Sequence, residues 1–349
     1  MQQPCATPRR TTLKDVARRA RLSLSAVSLA LREPGALPAT TVARVRRAAA
    51  ALDYSPDPAL SALSAYRSQL RVRRDFSVIA LVSNWPGRDA WFRQPAAQKL
   101  WEGATARATA LGYTLQHLWA REAGATPARF SQMLRARGIR GVILAPLERP
   151  DARFDLAWEN FAVVTVERPA RYTSFHHVVP NYYADMRLAW SQLWRRGYRR
   201  IGLVIDATLA ERVAHQWEAA HAFEQSPAGR DAPVVPAFVR EPGDPPALLL
   251  GWLARHRPDA IVSRSEGACA ALQAAGVRIP ADLGYASLNV LDDAPNVSGI
   301  LQPREVMGAA AVDALNSLLL VSQLGPGAHA VGTHVDGVWH EGRTLRPPA

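Results

Sequence analysis

The sequence predicts an N-terminal all-α helix-turn-helix domain with a hinge helix, followed by an α/β region of two doubly wound parallel-sheet lobes. Three observations predict it. Apolar residues recur at helical spacing between residues 13 and 52, with Ser23 opening the second helical stretch. From residue 77 onward short apolar runs alternate with helical stretches, and the alternation runs through twice. The positive charge is also unevenly placed. Residues 1–74 hold 14 Lys and Arg against 4 acids, a net +10, whereas the remaining chain holds 28 against 26, a net +2. A basic module joined to a near-neutral body is the footprint of a polyanion-binding head.

In the head, Thr11 or Thr12 is placed to cap a helix whose inner positions are Leu13, Val16, Ala17 and Ala20. Arg21-Leu22 makes the turn. Ser23 caps a second helix, about Leu24 to Leu31, with Val27 and Leu31 inward and Leu24, Ser25, Ser28 and Leu29 outward. Pro34-Gly35 breaks the chain before a third helix from about Ala39 to Leu52, with Arg44, Arg46 and Arg47 available to phosphates. Two helices joined by a tight turn form an arrangement whose second helix enters the major groove. Asp57 and Pro58 then start a short helix through Tyr66, followed by Arg67, Arg71, Arg73 and Arg74. The expected divisions are 1–56 for the helix-turn-helix domain, 57–74 for the hinge helix and basic linker, and 75–349 for the two-lobed domain.

In the body the expected strands are Ser77–Val82, Tyr113–Leu118, Gly141–Pro146, Phe161–Val166, Arg200–Ile205, Val234–Val239, Asp259–Ser263 and Tyr285–Asn289. The expected helices are Ala96–Gly112, Phe130–Arg137, Ala184–Arg196, Val213–Phe223, Pro246–His256, Ala268–Ala275 and Arg304–Leu320. Doubly wound sheets gather polar loops at the strand C-terminal ends, so a ligand cleft is expected between the lobes.

Other function classes find little support. The two cysteines, Cys5 and Cys269, fit a reducing cytoplasm rather than a disulfide framework. No apolar run reaches the ~18 residues of a membrane span, and Met1–Arg10 does not resemble a signal segment. The expectation is a cytoplasmic protein without membrane contact. No Walker A, G-x-G-x-x-G, G-x-S-x-G or H-E-x-x-H motif is present, so neither catalytic residues, cofactor nor metal is expected. His176-His177 and His340-Glu341 read as solvated loops, and Asp292-Asp293 as a loop or helix cap.

Residues Thr12-Leu13-Lys14-Asp15-Val16-Ala17, Ala20, Leu22-Ser23, Ala26-Val27-Ser28 and Leu52-Asp53-Tyr54-Ser55-Pro56 resemble the head of the lac-repressor (LacI/GalR) family. More weakly, Arg137–Pro146, Gly197–Ile201, Gly276–Asp282 and Gln302–Ala311 resemble that family's effector domain, which is periplasmic-binding-protein-like. The resemblance implies a homodimeric, ligand-responsive repressor that binds a palindromic double-stranded DNA operator, with a small-molecule effector such as a carbohydrate. It places DNA contacts at Thr12, Ser23, Leu24, Ser25, Ser28 and Leu29, and a minor-groove wedge at Leu63. It places effector contacts at Trp85, Trp91, Asn181, Trp217, Glu266 and Asn289. The chain departs from the family pattern at Leu29, where a polar or basic reader is usual, and at Ser265-Glu266, where Asn-Asp is usual. The alternative is a small-molecule (sugar) binding module without specific DNA function.

Overall fold

In the computed structural model the chain separates into two compact units, residues 1–73 and 74–349. The structure describes residues 11–32, 37–54, 78–122, 126–149, 152, 154–167, 174–265, 267–290 and 296–347. The hinge segment with Leu63, as well as Glu266 and Asp292-Asp293, lies outside the described residues.

Within the first unit the described residues form α1 (Leu13–Ala20), α2 (Leu24–Arg32) and α3 (Ala39–Ala50). Asp15 Oδ2 accepts from the Thr12 backbone N–H at 3.0 Å and from its hydroxyl at 2.6 Å, which fixes the start of α1. Arg21 turns the chain at a left-handed φ of 49°. Ser23 Oγ then accepts the Ala26 N–H at 3.2 Å and caps α2. Val16, Ala17, Ala20 and Val27, inner positions that the helical spacing predicts, form the core together with Ala30, Val42 and Val45, while Leu31 packs at its edge.

The second unit is built on apolar runs buried on both faces. β1 (Val78–Ser83), β2 (Thr114–Trp119), β3 (Gly141–Leu144), β4 (Ala162–Val166) and β5 (His176–Pro180) form one sheet, with α4 (Pro95–Ala110) and α5 (Pro127–Ala136) in the first crossovers. Alternation assigns the faces. Ile79, Leu81, Ile143 and Val164 pack with Leu100 and Ala104 of α4. Ala80, Val82, Val142 and Val163 pack with Phe130 and Leu134 of α5.

The second lobe repeats the plan with α6 (Tyr182–Arg195), β6 (Ile201–Asp206), α7 (Ala207–Arg212), α8 (Gln216–Gln225), β7 (Phe238–Arg240), α9 (Pro246–His256), β8 (Ala260–Arg264), α10 (Ala268–Ala274), β9 (Gly284–Ser287) and β10 (Ser298–Leu301). The chain then returns to the first lobe as α11 (Arg304–Leu320) and β11 (Gly332–Val335), and ends in the second with β12 (Val338–His340). The sheet orders are β11-β5-β4-β3-β1-β2 and β12-β10-β9-β8-β6-β7. All pairings are parallel except β10 with β12. Three short crossovers therefore join the lobes, after β5, β10 and β11.

Several local expectations change. His176-His177 is not a solvated loop: it opens β5, and His177 is buried. His340 likewise ends β12, where Glu341 pairs with the buried Arg196 at 2.6 Å. The helix expected over Val213–Phe223 starts later, at Gln216, because Ala214 and His215 adopt left-handed φ of 50° and 58°, and the separate short helix α7 precedes it. The strand expected over Val234–Val239 shortens to Phe238–Arg240. The Val235 N–H is taken by the Gln225 side chain, and Pro236 has no N–H for a ladder. His221 joins α8 to α6 by accepting from Trp190 Nε1 at 3.1 Å. Burial pushes its imidazole down to about 4, so the ring is neutral and its Nε2–H donates to the Val235 carbonyl.

Candidate functional site

A cleft of about 1020 Å³ opens between the lobes. Its walls are the segments after β1, β3 and β4 in one lobe and those after β6, β7 and β8 in the other. This is where a doubly wound sheet presents its polar loops. Trp85 and Trp91 form part of the first wall. Trp85 Nε1 donates to the Pro146 carbonyl at 2.8 Å and the Trp85 carbonyl accepts from Trp119 Nε1 at 2.8 Å, which holds the loop in place. Trp91 is almost fully buried and stacks beside His117 at 6.0 Å. His117 Nε2 shares a 2.7 Å hydrogen bond with Ser83 Oγ. Burial and then the Arg88 charge hold the His117 imidazole below its usual range.

Charged residues complete the lining. Five arginines and five acids face the cleft, so it has no excess charge to trap an anion. Arg212, from α7, reaches across the cleft and donates to the Leu147 carbonyl at 2.8 Å and the Glu148 carbonyl at 2.6 Å. It also pairs with Glu167 at 3.1 Å. Across the second lobe's wall, Asp206 Oδ1 accepts from Arg240 Nε at 2.7 Å and from Ser265 Oγ at 2.6 Å.

Behind the cleft a buried polar chain runs through the crossovers. Arg304 lies 3.8 Å from Glu167 and donates to Gln302 Oε1 at 2.6 Å. Gln302 Nε2 donates to Asp185 Oδ2 at 3.3 Å, and Asp185 Oδ1 accepts the Gly337 N–H at 2.9 Å. Asp185 opens α6 just past the first crossover, Gln302 lies in the second and Gly337 in the third. One carboxylate thus ties all three together.

Burial pushes Asp185 up to about 6, against the Gly337 and Gln302 bonds and the Arg304 charge that hold it down; Asp336 adds to the rise. The unfolded chain releases this proton near the ordinary aspartate value of 3.8, while the folded chain keeps it to about 6. The contribution of Asp185 is therefore fullest below 3.8 and is lost as pH rises through 6. Relative to Asp185→Asn, wild type should lose about 2 kcal/mol of stability between pH 4 and 7. Denaturant titrations of both proteins across that range check the slope, and parallel curves would refute it.

The remaining sequence-derived positions are dispersed. Asn181 caps α6 by accepting the Ala184 N–H at 3.2 Å and donates to Asp336 at 2.7 Å. Trp217 is buried in the second lobe's core, edge-on to Tyr182 at 5.1 Å. Asn289 is buried just past β9, its N–H donating to Ser287 Oγ at 3.1 Å. None of these three lines the cleft. Sequence reasoning missed Glu167, Asp206 and Arg264, yet each stands at or just past the C-terminal end of an apolar run. In the head, Thr12 and Ser23 cap helices, Leu24 and Ser25 are exposed, and Ser28 and Leu29 are half-buried.

Among the described residues no group of His, Cys, Asp and Glu is arranged to hold a metal, and no helix is long and apolar enough to cross a membrane.

Residues 12–57 match the model of bacterial regulatory proteins of the lacI family, and residues 190–338 match a periplasmic binding protein-like domain. No curated protein matches the chain. Among solved structures, the transcriptional regulator CelR in its cellobiose complex is 19% identical, with a TM-score of 0.58 over 96% of this chain and 100% of that one. The lac repressor dimer bound to operator and the anti-inducer ONPF is 18% identical, with a TM-score of 0.56 over 97% and 100%. A LacI transcriptional regulator from a Rhodococcus species is 20% identical, with a TM-score of 0.55 over 78% and 99%. These similarities establish a shared fold of two like-wound lobes. Residues 12–57 thus carry a lacI-family head and residues 190–338 a periplasmic binding protein-like body, joined in a single sequence.

Proposed function

We propose that the chain is a ligand-responsive transcriptional repressor, acting in the cytoplasm as a homodimer on a palindromic operator. The observation that carries this reading is the union in one chain of a lacI-family head with a two-lobed cleft. Two heads related by a two-fold axis read two half-sites, so the operator mirrors that symmetry. The chain acts by binding rather than by turnover.

The cleft favours a neutral, polar ligand. Its charges balance, and Trp85 offers apolar ring surface beside hydrogen-bonding groups. A carbohydrate fits that description. Trp85 is the proposed stacking residue, while Trp91, Asn181, Trp217, Glu266 and Asn289 belong to the wider set to be tested by substitution. Ligand binding shifts the balance between lobe arrangements and so changes operator affinity, a coupling of ~1–3 kcal/mol in the usual range.

Selection of duplexes from a random pool by the full-length protein tests this reading. Enrichment of an approximate palindrome, with affinity changed by one of a panel of neutral sugars, is expected. Sugar binding with no duplex enriched over random DNA at physiological salt would instead leave a small-molecule binding module.

A further inference from the structure

The outward face of α2 carries an unusual pair of side chains for a helix that reads DNA. At about 100° per residue, Leu24, Ser28, Ser25 and Leu29 fall within an arc of about 140°. Val27 and Ala30 point the other way, into the core. Leu24 is 44% exposed, and neither Leu24 nor Leu29 packs into the head's apolar cluster. No guanidinium, amide or carboxylate stands among these four positions. The bidentate contacts that identify guanine or adenine therefore cannot be made from them. What remains at these four positions is two apolar side chains flanking two hydroxyls; Arg32, which ends α2 about two turns beyond Leu24, falls within the same arc.

The major groove offers one apolar group for such a surface, the C5-methyl of thymine. The head's net charge of +10 over residues 1–74 supplies the phosphate attraction that brings this face to DNA. We infer that Leu24 and Leu29 determine operator specificity by packing on thymine methyl groups, with Ser25 and Ser28 as the polar contacts between them. This rests on the DNA-reading role of the head and adds to it how the bases are told apart.

The test uses full-length protein and the duplex enriched by selection. Each thymine of the half-site is replaced, one position at a time and symmetrically in both half-sites, by deoxyuridine, which keeps every hydrogen-bonding group and removes only the methyl. At one or two positions binding should weaken about fourfold per methyl, the equivalent of ~0.8 kcal/mol for one buried carbon. Leu24→Ala and Leu29→Ala should each abolish discrimination at one such position, with a smaller loss of affinity for random duplex than for the selected one. Both leucines lie outside the core, so helical content should be retained, and circular dichroism checks this. An enriched half-site that binds equally well with thymine or deoxyuridine throughout would overturn this inference alone. Failure to enrich any duplex would overturn it together with the regulator reading.

Discussion

Gly103→Ala and Gly308→Ala will each destabilise the two-lobed unit by about 3 kcal/mol, the upper end for overpacking a well-packed contact. The two glycines stand where α4 and α11 cross. A Cβ on Gly103 would lie 1.9 Å from the Glu305 carbonyl oxygen, and one on Gly308 would lie 2.1 Å from the Leu100 carbonyl oxygen. The obstructing atoms are backbone, so no rotamer change relieves the clash and the helices must separate. Separation loosens Leu100 and Ala104 against Met307 and Ala311, in the core of the first lobe. Urea denaturation of each variant measures the loss. The double variant should cost much less than the sum, because the first substitution already opens the gap. Gly251→Ala on α9 is the control. A Cβ there meets nothing within 4 Å, so alanine's helix propensity should stabilise by roughly 0.5–1 kcal/mol. A loss below about 1 kcal/mol at both crossing glycines would mean that the helices separate at little cost.

The elements that were legible in the sequence are those whose burial leaves a local trace. β1, β3, β4, β6 and β8 are buried on both faces and read as unbroken apolar runs. The head's helices declare themselves through inner-face spacing and caps at Thr12 and Ser23. The elements that were not legible lack such a trace. β5 begins with two histidines, and β11 and β12 are short strands at sheet edges whose pairing comes from the other strand rather than from their own composition. The break between α7 and α8 carries no glycine or proline, since Ala214 and His215 make the left-handed turn themselves. The cleft divides in the same way. Trp85 and Trp91 follow the first strand closely and line the wall. The Arg212 tie joins positions 45 or more residues apart, and no local pattern specifies which carbonyl a guanidinium will reach.

That tie gives the second large effect. Glu167→Gln should cost about 3 kcal/mol, because it removes an anion that two largely buried cations share. The side chains of Arg304 and Arg212 are 9% and 18% exposed, and Glu167 lies 3.8 Å from the first and 3.1 Å from the second. A neutral amide keeps the shape and one hydrogen bond but removes the negative charge that faces both guanidinium groups. Arg212→Gln alone should cost less, since its other partners are two carbonyls that water can reach in an opened cleft. In a double-mutant cycle the pair should show a coupling of about 1–3 kcal/mol. Additive losses would mean that Glu167 acts through Arg304 only. The functional consequence follows from where the two residues sit. Arg212 belongs to one lobe and Glu167 to the other, so their pairing favours closure before any ligand arrives. A ligand shifts an equilibrium only by its differential affinity for the two arrangements. Weakening the tie in Arg212→Gln should therefore increase the population of open protein in small-angle scattering and enlarge the change that ligand produces. An unchanged scattering profile would show that the three crossovers, with Asp185 at their junction, set the lobe arrangement without help from the cleft.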